Sequence, residues 1–244
     1  WRKKVKNVGP YKAGSFKTYL IRDEIASDVI LALSTDDDQI IADAFKTARE
    51  LISTKSIQAT RLLFEDAFET LLADALAGSI TRRQFSGRLR SLLELNIYRA
   101  YVDGLRDGGV DDDPSEDEQK EINALIADQG QYISGLADAI YKDEDTIISS
   151  AVAEQKPAMW FNKSVNPAYL AGLAAADGNS LYEWVYGNTE ESCADCQKLN
   201  GQRHRMKDWT RKGLLPKVDT LECKGFNCKC TLVKASGKAR GNWL

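Results

Sequence analysis

All five cysteines of this 244-residue chain fall between Cys193 and Cys230, and its one histidine, His204, lies among them. Cys193 and Cys196 form a C-x-x-C. Cys223, Cys228 and Cys230 follow as C-x4-C-x-C after an interval of 26 residues. Two thiol clusters at this separation are the layout of a zinc knuckle. Zn²⁺ takes four soft donors at tetrahedral corners. One tight turn lets a C-x-x-C supply two of them, and a second turn brings the other pair. The loop between is cross-linked without a large core. A segment of about 50 residues has little core of its own, so a bound metal would contribute much of its folding free energy.

The spacing favours one structural zinc per chain, with Cys193 and Cys196 as the first ligand pair and Cys228 and Cys230 as the second. Cys223 is able to replace either of the latter, because C-x4-C also closes a metal loop. His204, between Arg203 and Arg205, reads as solvent-exposed rather than as a ligand. Two other readings of the thiols stay open. Disulfides suit an oxidising compartment, but the basic start WRKKVKNVGPYKAG has no apolar signal core behind it, and five is an odd number. Unligated buried thiols are the third reading. A redox C-x-x-C would need a βαβ context that the pattern lacks.

Catalysis finds little support. A hydrolytic zinc needs an open position and a general base, and a Ser/His/Asp triad would have to use His204 with no G-x-S-x-G beside it. The H-x-E and P-C-x-x-C of zinc deaminases are absent, as are a Walker loop and G-x-G-x-x-G. The chain therefore reads as a non-enzyme.

The first two thirds read as helices. FKTYLIRDEIASDVILALS has helical apolar spacing, and Thr35/Asp38 stand at capping-box spacing before the next such run. KSIQATRLLFEDAFETLLADALAG is amphipathic, with a core stripe of Phe64, Phe68, Leu71, Leu72 and Ala75, and stops at Gly78. Thr81/Gln84 open a long helix that ends at Gly108-Gly109, and Ser115/Glu118 open another. Asp111, Asp112 and Asp113 lack the alternating ligands of a calcium loop and read as a solvated approach to that helix. Pro157 and Pro167 punctuate a connecting stretch, and a short helix ends near Gly178. From Leu181 the texture changes to short β-prone pieces and turns. The expected fold is mainly α: a basic N-terminal arm over 1–15, an elongated helical body over 16–180, and a small C-terminal α+β, zinc-knuckle-like module over 181–244. No apolar run approaches the span of a membrane helix.

The net charge of -3 conceals a pattern. Residues 1–17 carry six Lys/Arg and no acid, 18–190 carry 15 basic and 31 acidic residues, and 191–244 carry 12 basic and five acidic ones. Such blocks serve solubility, or they let two basic ends contact nucleic acid around an acidic body. The candidates for that contact are Arg2, Lys3, Lys4 and Lys6 in the arm and Arg203, Arg205, Arg211 and Lys212 beside the knuckle. Aromatics near the cysteines, Trp184, Tyr186, Trp209 and Phe226, read as cover for a small core rather than as base-stacking platforms.

The run from Trp184 to Cys230 resembles the C-terminal module of the phage head morphogenesis family, the minor head proteins of Mu protein F-like and SPP1 minor head protein-like type. The residues that carry the resemblance are Trp184, then Thr189, Glu190, Cys193 and Cys196, then Leu199, Gly201, Trp209, Gly213 and Pro216, and a closing Cys228 and Cys230. Where many relatives have His-Pro before the closing pair, Gly225 and Phe226 stand here and Cys223 lies upstream, as in a subgroup with C-x-G. The resemblance implies a minor capsid protein of the virion, at the portal vertex or in the head interior. It would act in head assembly and in DNA packaging and ejection, and is structural rather than catalytic. Implied partners are the portal protein, the major capsid protein or scaffold, and packaged DNA contacted non-specifically, with assembly in the host cytoplasm and no membrane. The alternative is a zinc-knuckle DNA-binding protein or nuclease.

Overall fold

The computed structural model describes residues 57–141, 150–187, 193–218, 220–225 and 228–244, all within a compact unit spanning 49–244. The basic arm with Arg2, Lys3, Lys4 and Lys6, the two helices expected before residue 57, and Phe226 lie outside the described residues. What is described is mainly α with one small three-stranded sheet.

Helix α1 (Ile57–Leu76) stops in a left-handed glycine, Gly78 at φ +69°. The Ser79 amide reaches the Asp74 carbonyl at 2.9 Å and the Gly78 amide reaches Ala75 at 3.1 Å, the paired bonds of a Schellman cap. Helix α2 (Arg82–Asp107) begins at once, through the Thr81/Gln84 capping box read from the sequence: the Thr81 amide donates to Gln84 Oε1 at 2.8 Å. It ends in a second Schellman cap at Gly109, with Val110 N–H on the Leu105 carbonyl at 2.9 Å. The Ser115/Glu118 box opens α3 (Glu116–Asp128), and three acids in its first turn oppose the helix dipole. Then come α4 (Gly130–Tyr141), α5 (Ser150–Trp160), a π-helical turn (Phe161–Val165) and α6 (Asn166–Asp177).

The segment around Pro157, expected as a connector, is helical. Pro157 lies inside α5, and the distortion continues as the π-helical turn. Packing overrides the proline: Trp160, Phe161 and Val165 are all buried in the main core. Trp160 meets Phe68 edge to face at 5.4 Å, and Phe161 meets Phe64 at 6.1 Å. Each fully buried aromatic stabilises the fold by about 2–3 kcal/mol, which offsets the ~3 kcal/mol that an interior proline costs. The α1 stripe faces inward as expected, with Phe64 and Phe68 at 0% exposure.

α2 and α6 touch through their backbones. A Cβ on Gly172 would lie 2.0 Å from the Tyr101 carbonyl oxygen, and one on Gly104 would lie 2.1 Å from that of Tyr169. This contact sets where the C-terminal third begins, because α6 also carries Leu170 and Leu173 into a second apolar cluster. Among the described residues no helix is long and apolar enough to cross a membrane.

Several polar side chains are buried, and two of them sit one turn apart on α2. Asp103 on α2 is 4% exposed and accepts from Thr60 Oγ1 of α1 at 2.9 Å. Arg99, one turn earlier, is 8% exposed, and its Nε and Nη2 have no hydrogen-bond partner. Burial pushes Asp103 up to about 6, against the Thr60 bond and the Arg99 charge.

Two outcomes follow from the packing. Gly172→Ala forces the helices apart and should cost about 1–3 kcal/mol, seen as a fall of a few degrees in Tm. Asp103 holds its proton to about pH 6 in the folded chain and to about pH 4 when unfolded, so its contribution to stability falls as pH rises between these values. Against Asp103→Asn, the wild type should therefore lose about 2 kcal/mol in denaturant titrations between pH 4 and pH 7.

Candidate metal centre

The C-terminal third is built on a small antiparallel sheet of order β2-β1-β3. Its central strand β1 (Leu181–Val185) pairs on one side with β2 (Arg203–Arg205) and on the other with β3 (Thr231–Ala235). Two short helices, α7 (Ala194–Leu199) and α8 (Met206–Arg211), bring Leu199, Met206 and Trp209 into one apolar cluster with the buried residues of β1. Alternation along β1 sends Tyr182 and Trp184 inward. Trp184 packs against Trp209 at 5.6 Å, and the Trp209 indole donates to the Tyr182 carbonyl at 3.0 Å. The amides at the start of α8 are satisfied by the end of α6 and the residues after it: Lys207 N–H donates to the Gly178 carbonyl and Met206 N–H to that of Ser180, each at 3.0 Å.

The five cysteines are free thiols, and all lie in or against the second apolar cluster. Their sulfurs form two groups, Cys193/Cys196/Cys223 and Cys196/Cys228/Cys230, with all sulfurs in each group within 4.8 Å of one another. Cys196 belongs to both. A tetrahedral Zn–S₄ site has sulfurs about 3.8 Å apart, so small side-chain rotations suffice to close on an ion. The donor set is all thiol, which suits a soft or borderline cation, and the cysteine groups could hold a metal ion.

Local structure explains the convergence. Cys193 is the N-cap of α7, and its Sγ accepts from the Cys196 amide at 3.3 Å. A turn with Lys224 at φ +48° and Gly225 at φ +75° presents Cys223. Glycine is required there, since a Cβ on Gly225 would meet the Lys217 carbonyl oxygen at 2.2 Å. The two loops are tied reciprocally: the Ala194 amide donates to Glu222 Oε2 at 2.7 Å, and the Glu222 amide donates to Asp195 Oδ2 at 2.8 Å. Gly187, just past β1, lies so close to Lys229 that a Cβ would come within 2.4 Å of it, and this brings the C-x-C alongside.

Burial pushes the thiols of Cys196 and Cys230 up and that of Cys223 to about 11. For Cys193 burial also raises, but hydrogen bonds from Cys196 and Cys223 outweigh it and the net direction is down. Metal binding requires thiolates, so the ion would have to displace these protons, and affinity would rise with pH. Lys217 is half-buried, and burial together with the Arg61 charge on α1 lowers it.

The sequence-predicted residues fare differently. The four predicted ligands are divided between the two groups: Cys193 and Cys196 stand with Cys223, and Cys196 also stands with Cys228 and Cys230. His204 is not solvent-exposed: it is 9% exposed and stands outside both cysteine groups. Its ring stacks on Trp243 at 3.8 Å and meets Trp209 edge-on at 4.9 Å, because the C-terminal tail folds back over β2. The tail is fastened by Arg240, which exchanges two 2.9 Å backbone bonds with Arg203. Burial lowers His204, partly opposed by Asp208.

The basic cluster is partly committed within the chain. Arg203 is paired with Glu183, and Arg211 with Asp208 at 2.7 Å. Arg205 is exposed, and Lys212 Nζ lies 5.8 Å from the Trp243 ring. The sequence reading missed Asp195, Glu222 and Trp243. A signal for the first two was present, since an acid directly precedes both Cys196 and Cys223.

Trp243→Ala uncovers His204. Its titration midpoint, followed by NMR, should rise toward the ordinary value of about 6.5. The lost packing should cost up to about 3 kcal/mol, as the ring is only partly buried.

Compared with known proteins, the chain matches no family model, no curated protein and no solved structure.

Proposed function

We propose that the chain is a phage minor head protein at the portal vertex, acting in head assembly and in DNA packaging and delivery. In this reading it has a structural and not a catalytic role. The observation that carries the reading is that residues on which the family resemblance rests help build the C-terminal module, Thr189 and Glu190 lying outside the described residues. Trp184, Leu199 and Trp209 are at 0% exposure, Gly201 and Gly213 make left-handed turns at φ +75° and +65°, and the cysteines converge. The ion is one Zn²⁺ per chain, chosen by an all-thiolate donor set and holding shape in a module with a modest core.

The helical body would dock on the portal, the major capsid protein or the scaffold. Its deepest apolar stripes face inward, which leaves Leu62, Leu76 and Tyr132 as large exposed apolar side chains. Contact with packaged DNA would be non-specific, through the Arg2–Lys6 arm and through Arg205 and Lys212. Arg203 contributes less, being paired with Glu183. Assembly in the host cytoplasm and residence in the virion complete the reading. A zinc-knuckle DNA-binding protein or nuclease is the competing one.

Tagging the chain in the phage that encodes it separates the two. The chain should co-purify with portal-containing heads, and the pure protein, carrying about one zinc, should leave DNA intact. Absence from purified heads, together with DNA cleavage abolished by a change within residues 193–230, would establish the nuclease instead.

A further inference from the structure

Resting on the metal reading above, we infer that the ion is held by Cys193, Cys196 and Cys223 together with one thiol of the Cys228/Cys230 pair, leaving the other thiol of that pair unligated.

The two sulfur groups share one member, Cys196. Two tetrahedral ions sharing one corner need seven donors, and the chain has five thiols, so the arrangement serves one ion. That ion takes one complete group and borrows its fourth corner from the other. Three observations select the Cys193/Cys196/Cys223 group as the complete one.

The first is the reciprocal clasp. Ala194 and Asp195 lie between Cys193 and Cys196, and Glu222 directly precedes Cys223. The two carboxylate-to-amide bonds of 2.7 and 2.8 Å therefore fix the backbone beside all three sulfurs. Such outer contacts orient metal ligands. The second is amide direction. Cys193 Sγ caps α7 and accepts from the Cys196 amide at 3.3 Å, so a backbone dipole already points at a sulfur that would carry negative charge as a ligand. The third is the backbone: Lys224 and Gly225 both adopt positive φ to present Cys223, a conformation that a non-glycine residue such as Lys224 takes only at a cost.

The test is metal stoichiometry of the full chain, loaded with Zn²⁺ or Co²⁺, for five single Cys→Ser variants. Variants at Cys193, Cys196 and Cys223 should lose affinity by more than about 100-fold, beyond the loss of an outer contact. Of the variants at Cys228 and Cys230, one should keep one equivalent with an undiminished thiolate-to-cobalt charge-transfer band. Cys223→His guards against simple misfolding. It restores a donor, so it should regain cobalt with a weaker thiolate band, whereas Cys223→Ser should not. Retention of one equivalent by Cys223→Ser, or any pattern in which both or neither of the Cys228 and Cys230 variants bind, overturns the assignment and leaves the metal reading standing. A wild-type chain that takes up neither Zn²⁺ nor Co²⁺ overturns both.

Discussion

Helices α2 and α6 meet with no side chains between them at Gly104 and Gly172, and the rest of the described structure depends on that contact. Any Cβ at either position would lie about 2 Å from a carbonyl oxygen of the other helix. Close backbone approach lets α6 serve two cores. Ala168 belongs to the main cluster, with the aromatics of α1, α5 and the π-helical turn. Leu170 and Leu173 belong to the C-terminal cluster with Trp184 and Trp209. α6 also supplies, at its C-terminal end, a carbonyl acceptor for the first turn of α8. The small module is thus seated on a helix whose own position is fixed by the larger core.

Within the module, two different devices make up for limited apolar content. On one side of β1 the tail folds back, and Trp243, His204 and Trp209 pack as a continuous aromatic group. Elsewhere five thiols approach one another around Cys196, braced by Asp195 and Glu222. Free thiols this close are poor packing partners. As thiolates they would repel, and burial opposes their ionisation at Cys196, Cys223 and Cys230. A cation at the centre would resolve both difficulties. The electrostatics of the cluster and the stability of the module are in this sense one problem.

The basic residues around His204 look like a single patch when read along the chain. In space Arg203 is bound to Glu183 and the Ser236 carbonyl, Arg211 to Asp208, and Lys212 faces an indole ring. Part of that charge organises the module, and only part is presented outward.

Local patterns in the chain were enough to establish the helical body, both capping boxes at Thr81 and Ser115, the glycine stops at Gly78 and Gly109, the change of texture at Leu181, and the gathering of thiols. All of these depend on periodicity, caps or spacing, which act over a few residues. The tertiary structure alone decided the helix through Pro157, because burial of Trp160 and Phe161 outweighs a local penalty. It decided the burial of His204, because the covering ring, Trp243, comes from 39 residues further on. It also placed Cys223 beside Cys193 and Cys196, through a clasp between Asp195 and Glu222 that are 27 residues apart. Contacts at such separations leave no periodic trace in a sequence, and only the fold brings their partners within reach.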